Sequence, residues 1–250
     1  MYIINGMMQE ELNFIWRALQ EDLGIHFEIP IAFIIPRIPT ASLFEDSSLQ
    51  SCRGYSFELK IWWYVKFSQE IVLCTLLHLK NNKDSTFISI NCLEYITIII
   101  NYCTALTAFY EDSICNDPNP VVLCVTDNTS AKNWTIHTSK QSIIGRALAR
   151  FFCGLLINSS VGINAKWIST LKNKIADNIT RLKVTNLPHS TSHYDLSQLK
   201  QDHKELKACC LFHPSPKLLS VIWKILLTRK CPSLNEVLEM RTPALGRLST

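Results

Sequence analysis

The segment from Ile90 to Tyr110 constrains this chain more than any other. It is apolar nearly all round. Ile96 to Ile100 alone would pass for a strand, but the run far exceeds the usual 4–8 residues of one, so its length predicts a helix. A helix without a polar face has to be buried. Its longest apolar stretch, Tyr95 to Tyr110, is interrupted by Asn101 and falls short of the ~18 residues that a membrane span needs. The expectation is therefore the core helix of a soluble domain. A chain of 250 residues can bury such a core without disulfides or metals.

The elements on either side follow from the same reasoning. Ala41 to Asp46, Tyr55 to Leu59 and Ile61 to Phe67 read as three strands separated by short polar breaks, which predicts an antiparallel meander. After the core helix, Asp117-Pro118-Asn119-Pro120 is a turn, and Val121 to Thr126 reads as a buried strand. Ile143, Ile144, Ala147, Leu148, Phe151, Phe152 and Leu155 trace one face of a helix. Val161 to Ile168 reads as another strand. Asn173 is placed to cap a short helix striped by Ile175, Ile179 and Leu182. Residues 1–38 form a leader with helical spacing over 11–23, and 68–88 carry no clear signal. Lys183 to His193, broken by Pro188, is the expected linker to a helical extension. There Pro216 stands at the first position of one helix, and Ser233-x-x-Glu236 is a capping box for another. The predicted divisions are 1–38, 39–183 and 184–250.

Composition excludes several classes of function. The seven glycines are too dispersed for a phosphate-cradling loop, so glycine-loop nucleotide binding is not expected. A net charge of +4 and a pI near 8.5 fall short of the balance of a dedicated nucleic-acid-binding domain. The ten cysteines form no C-x-x-C pair and mostly sit in apolar runs, where Cys behaves as a small hydrophobe. Gln9, Glu10 and Glu11 interrupt the N-terminus before a signal peptide can form. The chain reads as intracellular, cytoplasmic or nuclear, with no membrane partner.

Acidic residues stand at particular ends of these elements. Ala41-Ser42-Leu43-Phe44-Glu45-Asp46-Ser47-Ser48 is followed by Gly54-Tyr55, and Ile90-Asn91-Cys92-Leu93-Glu94 opens the core helix. Val125-Thr126-Asp127-Asn128-Thr129-Ser130-Ala131 closes a strand, and Asn173-Lys174-Ile175-Ala176-Asp177 opens the short helix. In this order, residues 40–182 resemble the ribonuclease H domain that follows reverse transcriptase in retroelements. The resemblance rests on the strand-terminal Asp, the helical Leu-Glu, D-N-x-x-A and N-x-x-A-D.

The resemblance implies an α/β fold, a ribonuclease H-like mixed five-stranded sheet with flanking helices, to which the C-terminal helical extension read above is added. It implies metal-dependent hydrolysis of the RNA strand of an RNA–DNA hybrid. Asp46, Glu94, Asp127 and Asp177 would be both catalytic and metal-binding, holding two Mg²⁺ or Mn²⁺ ions, with Asp46 bridging them. Such chemistry suits convergent carboxylates, because hard cations prefer oxygen ligands. Two ions about 3.5–4 Å apart serve both the attacking water and the leaving oxygen. Clustered carboxylates should also raise some of one another's pKa values.

Each acid has a plainer reading, Asp127 as a helix cap and Asp177 as a solvated helix residue. Asn128 is a substrate-binding candidate or a cap. Arg146 and Arg150 could touch substrate phosphates or form a solvated basic face. Trp62, Trp63 and Trp134 could stack on nucleic acid but favour core packing. Two positions depart from the family's pattern. Arg53 stands where a second turn glycine is expected, and Trp167 stands where relatives often carry a His. The Y-x-D-D motif of a polymerase does not occur before the domain, so a reverse transcriptase would be supplied separately. The alternative function is an inactive ribonuclease H-like fold that binds nucleic acid or assembles, or an element fragment without function.

Overall fold

The computed structural model describes residues 37–80, 88–111, 117–137, 142–157, 159–180, 196–240 and 246–248, with Gln9, Leu12, Asn13 and Trp16. The rest of the expected leader helix, and the linker at 183–193, lie outside the described residues. The chain forms strands β1 (Ala41–Ser47), β2 (Ser51–Ser56) and β3 (Ile61–Lys66), then helices α1 (Gln69–Lys80) and α2 (Ile90–Glu111). Strand β4 (Val121–Thr126) leads to α3 (Thr129–Ile136) and α4 (Ile143–Ile157). Strand β5 (Gly162–Trp167) is followed by a 3-10 turn (Thr170–Lys172) and α5 (Lys174–Thr180). Then come α6 (Leu196–Asp202), β6 (Cys210–Pro214), α7 (Pro216–Thr228), α8 (Leu234–Leu238) and β7 (Gly246–Leu248).

Among the described residues a sheet of seven strands carries the fold, in the order β5-β4-β1-β2-β3-β6-β7. The β1–β2, β2–β3 and β6–β7 pairs are antiparallel, while β1–β4, β4–β5 and β3–β6 are parallel. The five-stranded expectation is therefore exceeded. The region after 184 is not a purely helical appendage, because β6 pairs with β3 and prolongs the same sheet. The second strand also lies earlier than its composition suggests. Phe57 to Lys60 is a turn rather than strand, with Lys60 in the left-handed region at φ 52° and its N–H donating to the Phe57 carbonyl.

Helix α2 is the centre of the larger apolar layer, together with α4, α7 and one face of the sheet. Its side chains from Cys92 to Phe109 are buried. A segment of 21 residues here, Ile90–Tyr110, is long and apolar enough to cross a membrane, longer than its uninterrupted apolar stretch suggested. All of it but its ends, Ile90, Asn91 and Tyr110, is buried inside the domain, which accounts for its composition. Thr97, Thr104 and Thr107, buried in it, are satisfied within the helix. They donate to the carbonyls of Leu93, Ile100 and Cys103, one turn back. Asn101 accepts the indole N–H of Trp63 at 2.8 Å, and the Tyr102 hydroxyl donates to the Val161 carbonyl at 2.8 Å.

Gly54 makes that Trp63–Asn101 bond possible. A Cβ at Gly54 would meet Asn101 Oδ1 and lie 2.6 Å from Trp63 Nε1. On the opposite face of the sheet, Phe44 and Tyr55 stack at 5.1 Å, joined by Trp62, Ala176, Ile179, Leu199 and Leu206. Helix α5 and the segment after α6 thus cover the second face. Trp62 and Trp63 are core residues, and Trp134 packs edge-on against Tyr95. The nine described cysteines are free thiols, as their apolar settings suggest.

Candidate metal centre

Strand alternation decides where each acid points. Along β1, burial alternates residue by residue, so Glu45 shares the α2 face with Ala41 and Leu43, while Phe44 and Asp46 belong to the other. Asp46 is near the carboxyl end of β1, and Asp127 directly follows its parallel neighbour β4. Glu94 comes from the beginning of α2, which packs across β1, β2 and β4. Carboxylate oxygens of Asp46, Glu94 and Asp127 lie within 4.8 Å of one another, a spacing that can hold a metal ion. Sites at the carboxyl ends of strands are the general tendency of α/β sheets.

Asp127 is available because its neighbour does the capping. Asn128 is the N-cap of α3, its side chain accepting the Ala131 N–H at 2.9 Å. Its Nδ2 also donates to Asn91 Oδ1 at 3.0 Å, tying the starts of α3 and α2 together. The Asp127 carbonyl, in turn, accepts the Trp167 indole N–H at 2.8 Å. Trp167, marked in the sequence only as a departure, therefore holds the backbone that presents this carboxylate.

The electrostatics fit a cation. Glu94 is 4% exposed and its Oε2 has no hydrogen-bond partner. Burial pushes its carboxyl well above the usual range, Glu45, Asp46 and Asp127 push it further, and the Ser47 N–H opposes them. A divalent ion would supply the missing partner and reverse the repulsion. Glu45 is fully buried with neither carboxylate oxygen hydrogen-bonded. Burial is again the main reason its carboxyl is raised, with Asp46 and Asp127 adding to it. The Thr126 hydroxyl lies near enough to oppose the shift but outside hydrogen-bond geometry. The strand period predicted that Glu45 points away from Asp46. Its closeness to Glu94 needed the position of α2.

Asp177 is half-buried on α5, which packs against β1 and β2, and it stands outside the three-carboxylate group. Asn173 does not cap α5 with its side chain. Its Nδ2 donates to the Glu45 carbonyl at 2.7 Å, and its Oδ1 has no partner. Arg146 and Arg150 are half-buried on α4. Arg150 lies near Cys231, in the C-terminal region.

Arg53 occupies neither a turn nor a strained backbone. The β1–β2 hairpin turns at Ser48, whose hydroxyl accepts the N–H groups of Gln50 and Ser51 at 3.3 and 3.2 Å. Serine hydrogen bonds shape the turn, while Arg53 and Gly54 lie inside β2, and Arg53 is not in the left-handed region. Arg53 is the cross-strand partner of Asp46. Its side chain is buried, with the guanidinium 4.3 Å above the Tyr64 ring and donating to the Ile179 carbonyl of α5. Burial lowers its pKa to about 10, opposed by Tyr64 and Asp46, so it stays charged at neutral pH.

Comparison with protein-family models, with curated proteins and with solved structures finds no match to this chain.

Proposed function

We propose that the chain is a ribonuclease H-like nuclease of retroelement origin that hydrolyses the RNA strand of RNA–DNA hybrids. The observation that carries the reading is the convergence of Asp46, Glu94 and Asp127, from three separate elements, to within 4.8 Å. The order of β1 to β5 around α2, with acids at the ends that the resemblance implies, supports it.

Asp46, Glu94 and Asp127 would hold the cations, Mg²⁺ or Mn²⁺, with Asp177 on α5 as the fourth acid of a two-ion site. Bound there, two such ions would activate the attacking water and stabilise the leaving oxygen. The chain's own part is to hold these carboxylates in place. The Trp167–Asp127 bond fixes one, the Ser47 N–H orients Glu94, and the Asn173–Glu45 bond ties the start of α5 beside Asp46. The partner in this reading is an RNA–DNA hybrid.

The test is cleavage of a labelled hybrid by the purified chain with Mg²⁺ or Mn²⁺, beside Asp127→Asn. Metal-dependent cleavage by the wild type, lost in the variant, is expected. Equal inactivity of both with either metal refutes the enzyme. A second reading, an inactive fold that binds nucleic acid, draws on the position of Asp177 outside the three-carboxylate group. Salt-dependent hybrid binding without turnover would favour it.

A further inference from the structure

The seven residues from Trp167 to Asn173 form an arch pinned at both ends to acid-bearing strand ends. At one end the Ile168 N–H donates to the Thr126 carbonyl at 2.9 Å, and the Trp167 indole donates to that of Asp127 at 2.8 Å. At the other end the Asn173 carboxamide donates to the carbonyl of Glu45, next to Asp46, at 2.7 Å. Between the pins a 3-10 turn is closed by Lys172 N–H to Ser169 and Asn173 N–H to Thr170, at 2.8 and 3.0 Å. The arch is thus ordered by backbone bonds together with the side-chain bonds of Trp167 and the buried Asn173.

Apart from the buried Asn173, the side chains of the arch are exposed or half-buried. Trp167 is 49% exposed and Leu171 80% exposed, and Thr170 and Lys172 are exposed as well. From Gly162 to Ala176 the chain carries no acidic residue, while Lys166, Lys172 and Lys174 are all exposed. A large indole, an apolar side chain and lysines are held at the margin of a carboxylate group that can take a cation. Neither fold stability nor metal binding requires the exposed part of this surface.

We infer that the arch is a contact surface for a nucleic-acid strand, with the Trp167 ring packing on a base or sugar and Lys172 and Lys174 meeting phosphates. Both demands come from the same ligand. A strand passing the carboxylates presents flat rings and a phosphate every nucleotide, and aromatic platforms with basic side chains are how proteins hold it. The inference rests on the nuclease reading for the strand's position, but its readout is binding and not turnover.

The experiment measures binding of a fluorescent RNA–DNA hybrid to the full chain in Ca²⁺, by anisotropy across a salt series. Trp167→Ala is expected to weaken binding between about five- and a hundredfold, the range of one lost stacking contact. Trp167→Phe keeps the ring and is expected to retain most of the affinity although it cannot donate to Asp127. Lys172→Ala should reduce the salt slope by about one. Mn²⁺ affinity, titrated in parallel, should fall to the same extent in both Trp167 variants, since both lose the donation to the Asp127 carbonyl. Wild-type affinity in Trp167→Ala overturns the inference. So does a loss of hybrid binding that is equal in both Trp167 variants, since Trp167 would then only position Asp127. Cleavage in Mg²⁺ is read separately. Trp167-dependent binding without turnover by the wild type keeps the contact and sinks the nuclease, and turnover with unaltered Trp167→Ala binding does the reverse.

Discussion

Replacing Glu45 by Gln should reverse its effect on stability between acid and alkaline pH. The carboxyl is fully buried, without a hydrogen-bond partner, and close to Asp46 and Asp127, so its folded-state pKa lies well above the ordinary value. In the unfolded chain it titrates near pH ~4.3. Between these two pH values the folded state binds the extra proton, so stability is full below ~4.3 and falls as pH rises through the folded pKa. One such group costs up to about 1.4 kcal/mol per pH unit in that window. Glu94 is raised in the same direction, so the metal-free protein should lose up to about 2.7 kcal/mol per unit where both act. Glu45→Gln removes one of the two protons, so its slope should be about half. At pH 4 the amide gains nothing and leaves its own N–H groups short of partners, a cost of roughly 1–3 kcal/mol. Urea unfolding in EDTA at each pH from 4 to 9, for both proteins, gives the two slopes. Parallel curves, or a variant less stable than the wild type at every pH, would refute the reasoning.

Three further outcomes follow from the same geometry. Arg53→Ala should destabilise by roughly 2–4 kcal/mol, the sum of the cation–π contact with Tyr64 and the bond to the Ile179 carbonyl. Arg53→Gly should be no better, because the turn needs no glycine there. Urea midpoints decide both. Gly54→Ala should cost about 1–3 kcal/mol by overpacking against Trp63 and Asn101, read as a lowered Tm with faster exchange of the Trp63 indole proton. Mg²⁺ at a hundred times its Kd should stabilise the wild type by about 2.7 kcal/mol. Asp127→Asn should lose most of that gain in the same thermal melts, and an undiminished gain would place the ion elsewhere.

Much of the fold was legible because its signals are local. The nearly all-round apolar surface of Ile90 to Tyr110 demanded burial, and Val121–Thr126, Pro216 and the Ser233–Glu236 box marked their own elements. Cys210–Pro214 carries no such mark. It is five residues ending in proline, and it becomes a strand by pairing with β3. The turn was misplaced because glycine was taken as its signal, whereas Ser48 shapes it through hydrogen bonds from its hydroxyl. Arg53 and Trp167 looked like losses in the sequence. Their roles depend on Ile179 and Asp127, 126 and 40 residues away along the chain.

The sequence by itself determined which apolar segments are buried, where most elements begin, and which acids stand at element ends. Periodicity, capping and turn chemistry act over a few residues, so they can be read without the fold. Only the tertiary structure decided that Asp46, Glu94 and Asp127 meet within 4.8 Å in a group that does not include Asp177. It also decided that Glu45 lies orphaned beside Glu94, and that the pinned arch at Trp167 borders the carboxylates. Those relations are set by how α2, α5 and the parallel strands pack, and packing distances between distant segments leave no trace in local pattern.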